Sequence, residues 1–133
     1  MTSELRVNTL KDASGGNSIG LSYVANGSAK AWANFDGADT TSAEDTAGNR
    51  DVFNIGSLVD GGTGHTTINF TAGFVNTGYV VTNLTEYSID ATLNSIRISI
   101  ISMSQTALEI KTHWNTTVYD TDYVGVTVHG ELA

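Results

Sequence analysis

Ala29-Lys30-Ala31-Trp32-Ala33-Asn34-Phe35-Asp36-Gly37 opens the stretch that decides the fold. It runs through an acidic, Ser/Thr-rich excursion to Arg50 and resumes as Asp51-Val52-Phe53-Asn54-Ile55-Gly56-Ser57-Leu58-Val59-Asp60. Gly61-Gly62-Thr63-Gly64 then turns the chain, and Thr66-Thr67-Ile68-Asn69-Phe70 returns it. In Lys30 to Asp36 the residues Ala31, Ala33 and Phe35 share one face, and Lys30, Trp32, Asn34 and Asp36 share the other, because side chains alternate along a strand. Short alternating runs joined by Gly, Asp and Asn predict a meandering antiparallel sheet. The runs on either side of residues 61–64 predict a hairpin with a four- or five-residue connection. Their phase blurs at Leu58-Val59, which predicts a bulge or a change of face near Gly56. The glycine-rich turn lacks a following helix and a Lys-Ser/Thr ending, so it is not a phosphate loop.

The same alternation continues downstream. Tyr79-Val80-Val81-Thr82 forms one strand, and Tyr87 with Ile89 forms a short edge strand. Ile96, Ile98 and Ile100 line one face of another, followed by Leu108, Ile110, Thr112 and Trp114, then Val124, Val126 and Val128. About eight strands and no amphipathic helix predict an all-β chain, an antiparallel β-sandwich of jelly-roll-like type or a small barrel. The expected core includes Phe35, Phe53, Phe70, Ile98, Ile110 and Val126. Residues 1–28 read differently. Leu5 and Val7, and later Ile19 and Leu21, suit short extended pieces, but the polar, glycine-rich run between them holds no core of its own. The expected organisation is an extended N-terminal arm over 1–28, for attachment or oligomerisation, and a sandwich knob over 29–133.

A chain of 133 residues suits one domain. Fourteen acidic against six basic residues, a net charge of −8, argue against a nucleic-acid binder and against attraction to an anionic membrane. Cysteine is absent, which excludes disulfides and thiol chemistry, and proline is absent too, so turns fall to Gly and Asn. The first residues lack the basic and apolar regions of a signal peptide, and no apolar run reaches about 20 residues. The expectation is a soluble protein made in a cytoplasm.

Catalytic chemistry finds little support. His65, His113 and His129 lie beside turns or on polar strand faces, outside any nucleophile motif. Only His113 and His129 could neighbour one another, without a third metal ligand. The acids lie in loops, and no pair is set in the apolar surroundings that a paired-carboxylate glycosidase requires. Asp39, Glu44 and Asp45 cluster in one loop, yet their spacing fits no calcium-loop pattern and reads as solvated. No enzyme, cofactor or metal is expected.

Ser3-Glu4-Leu5-Arg6-Val7-Asn8-Thr9-Leu10-Lys11-Asp12-Ala13-Ser14-Gly15 resembles the attachment segment of tail fibre and related virion surface proteins from tailed bacteriophages. The blocks Ala29–Gly37, Arg50–Ile55, Val59–Gly64, Thr67–Phe70 and Tyr79–Val81 resemble those that follow it there, so the likeness spans roughly residues 3–81. Val124 to Gly130 resembles the closing strand of such domains. The resemblance implies a β-rich, non-enzymatic homotrimer of the virion, assembled in the host cytoplasm. It implies docking on other virion structural proteins through Leu5, Arg6, Val7, Asn8, Leu10 and Lys11. Trp32 is the expected subunit interface. Asp39, Glu44, Asp45, His65, Tyr87 and Tyr119 are the residues expected to face a host cell-surface glycan or outer-membrane receptor. A capsid or tail decoration or head-fibre protein without receptor binding is the alternative, and a carbohydrate-active enzyme a lesser one.

Overall fold

A computed structural model describes residues 6–37, 51–85 and 96–133. Leu5, Asp39, Glu44, Asp45 and Tyr87, with the short strand expected at Tyr87 and Ile89, lie outside the described residues. The arm contains a hairpin of β1 (Thr9–Lys11) and β2 (Ser18–Gly20), followed by a seven-residue helix α1 (Leu21–Gly27). The helix corrects the expectation of a wholly extended arm. It has no side-chain N-cap and no buried residue, so no sequence signal announces it. None of residues 6–28 is buried.

The remaining strands make two antiparallel sheets. The first is ordered β4 (Val52–Phe53), β3 (Ala31–Phe35), β11 (Val124–His129), β7 (Val80–Thr85). The second runs β5 (Ile55–Asp60), β6 (His65–Phe70), β9 (Ala107–Trp114). β8 (Arg97–Met103) pairs with β9 along the residues that also face β6, so it occupies the opposite edge. β10 (Thr117–Val118) folds back on the end of β9. One core lies between the sheets, with Ala31, Ala33, Phe35, Val124, Val126 and Val128 from the first, and Ile55, Leu58, Ile68, Phe70, Leu108 and Ile110 from the second. Burying such side chains contributes about 1.5–3 kcal/mol each for the larger ones, which is what fixes strand register. Among the described residues no ladder joins β4 to β5 or β7 to β8, so the arrangement is sandwich-like without closure into a barrel.

The expected hairpin over 61–64 is present, as is the irregularity near Gly56, where register shifts between Ile55 and Ser57. A second shift lies between Ile100 and Ser102 of the edge strand β8. Phe35, Phe70, Ile110 and Val126 are buried as expected, and Ile98 is half-buried. Phe53 is not in the core. It is 47% exposed on the outer face of the first sheet, stacked on Trp32. Asn54, with φ of 57°, carries the chain from one sheet to the other, so the parity that links Phe53 to Ile55 in the sequence is broken there.

The two ends of the sandwich differ in what they hold. At one end the arm joins β3 through Lys30, whose N–H donates to Val128, and the C-terminus is tied down by Ala133 N–H to Gly73 and by a bridge between Phe74 and Leu132. Phe70, Phe74 and Tyr79 plug this end as an aromatic cluster with centroids 4.5–5.9 Å apart. The Tyr79 hydroxyl is shared between the Ser104 and Ala107 carbonyls at 3.1 and 3.2 Å, and burial raises its pKa above the ordinary tyrosine value. At the far end Gly37 donates to Thr121, Thr85 Oγ1 donates to Ile96, and Gly64 accepts from Thr112.

Candidate functional site

The outer face of the first sheet is built by register. Trp32 pairs with Thr127, which pairs with Thr82, and Asn34 pairs with Gly125, which pairs with Leu84. These two rows cross three strands on the side away from the core. Trp32 stands at one border with Phe53 stacked behind it, centroids 4.4 Å apart and planes inclined by 18°. Such a pair adds about 1 kcal/mol beyond its area burial and holds the indole upright. Leu84, 75% exposed, stands at the other border. Gly125 and Thr127 form the floor between them, because Gly125 has no side chain to fill the gap. The result is an open groove of roughly 370 Å³ lined by Trp32, Asn34, Thr82, Leu84, Gly125 and Thr127 among others. Exposed Val80 and Tyr123 flank it at either end. Among the described residues the lining carries no ionisable side chain, in a protein of net charge −8.

The outer face of the second sheet is more polar, with Val59 exposed among hydrogen-bonded side chains. Asn69 Nδ2 donates to Ser57 Oγ at 2.9 Å, and Ser102 Oγ donates to Glu109 at 3.0 Å. Ser99 Oγ and His113 Nε2 are 2.7 Å apart, while His113 Nδ1 lies 2.9 Å from the Asn115 carbonyl. A carbonyl only accepts, so Nδ1 carries a proton, and in the neutral ring Nε2 accepts from the Ser99 hydroxyl. A serine–histidine contact also occurs in nucleophilic sites. Here it sits on a flat, outward strand face, with Lys111 beside Ser99 and Arg97 beside His113. Among the described residues, no three His, Cys, Asp or Glu side chains are grouped to hold a metal. No described helix is long and apolar enough to cross a membrane.

The predicted site residues fall into three places. Trp32 lies on the outer sheet face, 37% exposed and stacked on Phe53. His65 and Tyr119 are half-buried at the far end and are brought together by backbone. Gly64 accepts from the Thr112 N–H at 2.8 Å and donates to Asp120 Oδ1 at 2.6 Å, while Tyr119 N–H donates to Thr112 at 3.2 Å. Arg6, Val7, Asn8, Leu10 and Lys11 belong to the arm, and all but half-buried Val7 are exposed. Sequence reasoning missed Phe53, Leu84, Gly125 and Thr127. The available signal was a Trp and an Asn on the polar side of an otherwise buried strand, which marks the face without naming its other members.

Comparison with protein-family models, with curated proteins and with solved structures finds no match for this chain.

Proposed function

We propose that this chain is a non-enzymatic structural protein of a tailed-bacteriophage particle. In this reading it is a short trimeric fibre or knob that joins other virion proteins through its N-terminal arm. Its far end meets a host cell-surface glycan or outer-membrane receptor. The reading rests on the resemblance of residues 3–81 and on one structural observation. The arm and C-terminus leave from one end of the sandwich, while His65, Tyr119 and the junctions flanking segments 38–50 and 86–95 lie at the other. A molecule attached by one end and presenting the other needs that polarity. The same reading takes the two sheets as jelly-roll-like, since the chain passes between sheets at both edge pairs, β4 to β5 and β7 to β8.

The test is electron microscopy of particles from the phage whose genome encodes the chain. Gold would mark an epitope tag placed either between Asp39 and Asp45 or at Ala133. The first tag is expected farther from the particle body than the second, because Ala133 lies at the arm end. Gold spread over the head lattice would instead make this a decoration or head-fibre protein. No label on any particle would overturn the reading altogether.

A further inference from the structure

Two apolar surfaces are left uncovered in the described chain, and they lie on different elements. One is the groove bounded by Trp32 and Leu84. The other is the arm, where cross-strand partners Leu10 and Ile19 are both exposed and α1 presents Leu21, Tyr23 and Val24 to solvent. Tyr23 is the extreme case, an aromatic ring 75% exposed. Within one chain neither surface covers the other.

We propose that the groove receives the arm of a second copy of this chain, with the Tyr23 ring entering between Trp32 and Leu84. The inference deepens the reading of the chain as a self-associating knob and rests on its being an oligomer. Charge selects the occupant. Residues 1–28 hold two acids, Glu4 and Asp12, and two bases, Arg6 and Lys11, so the whole net charge of −8 resides on residues 29–133. A sandwich face seated in the groove brings acidic charge to it, whereas the neutral arm brings no net charge of its own. Shape agrees. Trp32 and Leu84 sit two strand spacings and one row apart, on a diagonal of roughly 12 Å, and the missing side chain at Gly125 leaves depth for a ring edge beside Leu84. Phe53 covers one face of the indole, and the opposite face borders the groove, where a phenol ring stacks on it. Asn34, in the row beside Gly125, offers an amide to the phenol hydroxyl. Groove and arm are different surfaces, so the contact is head-to-tail, and copies form a ring where the rotation between them closes.

The chain has no cysteine, so every disulfide of a Tyr23→Cys, Leu84→Cys double variant involves these two positions, and each single variant reports its like-with-like pairing. Mild oxidation of the full chain is expected to give covalent dimers and trimers on a denaturing gel, in excess of either single variant. A product that runs as monomer, linked internally or not linked, overturns the proposal. A Cβ at Gly125 meets Leu84 atoms no closer than 3.5 Å, an ordinary contact, so Gly125→Leu fills the groove floor while leaving the sheet in place. Sedimentation velocity is expected to show association weakened about 30-fold in Gly125→Leu and in Tyr23→Ala, with the double variant no weaker than either. Tyr23 is exposed and cannot unfold the sandwich, so wild-type association in Tyr23→Ala also overturns the proposal. Failure here with gold still on phage particles leaves the proposed function standing, and crosslinking without label does the reverse.

Discussion

Asn54 joins the two sheets with three side-chain hydrogen bonds and a backbone angle that few residues accept. Its Nδ2 donates to the Lys30 and Ala72 carbonyls at 3.0 Å each, and its Oδ1 accepts the Ala72 N–H at 2.7 Å. At φ of 57° it lies in the left-handed region, where asparagine is tolerated and alanine strained. Losing the hydrogen bonds costs about 1 kcal/mol each, and the strain adds about 1 kcal/mol. Asn54→Ala is therefore expected to lower stability by about 3–4 kcal/mol, and Asn54→Gly, which relieves the angle alone, by about 1 kcal/mol less. Urea denaturation of both variants measures the difference. Equal losses would show that the angle is immaterial, and losses well under 1 kcal/mol that the clamp is. Gly130 is constrained for another reason. A Cβ there would lie 2.7 Å from Tyr79 Cβ and 2.9 Å from Phe74 Cδ1, so the last turn closes over the aromatic plug only without a side chain.

Among the elements, the arm hairpin is the one that acidity addresses. Asp12 accepts from Asn17 Nδ2 at 2.7 Å and from Ser14 Oγ at 2.9 Å, and these bonds hold its carboxyl below the ordinary aspartate pKa. A depressed folded-state pKa contributes stability that is fully present above the unfolded value and is lost as pH falls through the folded one. The β1–β2 turn is thus expected to be intact at neutral pH and to loosen below about pH 4. Amide exchange at Asp12, whose N–H donates to the Asn17 carbonyl at 3.1 Å, follows it. Exchange that is the same at pH 3 and pH 6, after correction for intrinsic rates, would contradict the assignment. Strands β3, β6, β9 and β11 were legible because each buries every second residue, a period that nothing but a strand produces. The helix α1 was not, since it buries nothing and so imposes no period. Phe53 was misplaced for a related reason. Parity propagates along one strand, and Asn54 ends that strand one residue later.

For the whole molecule, the outer faces of its two sheets differ in chemistry. One is cross-linked by hydroxyl, amide and carboxylate pairs, and the other exposes Trp32, Phe53, Val80 and Leu84. Exposed apolar surface of this kind marks contact with another molecule. Because none of residues 6–28 is buried, deleting 1–28 is expected to leave the sandwich folded, with a melting temperature within a few degrees of the full chain, yet unable to enter particles. Circular dichroism and the copy number in purified particles test the two halves separately. Incorporation at the full-length level would remove the arm from attachment. The sequence by itself determined that this chain is an antiparallel β protein with a polar N-terminal extension, because alternation and turn residues are local properties that survive in a linear string. Only the tertiary structure decided which polar-side residues meet. Trp32, Thr127 and Thr82 become one row through pairings across more than forty residues of chain, and those pairings are set by burial of the opposite faces.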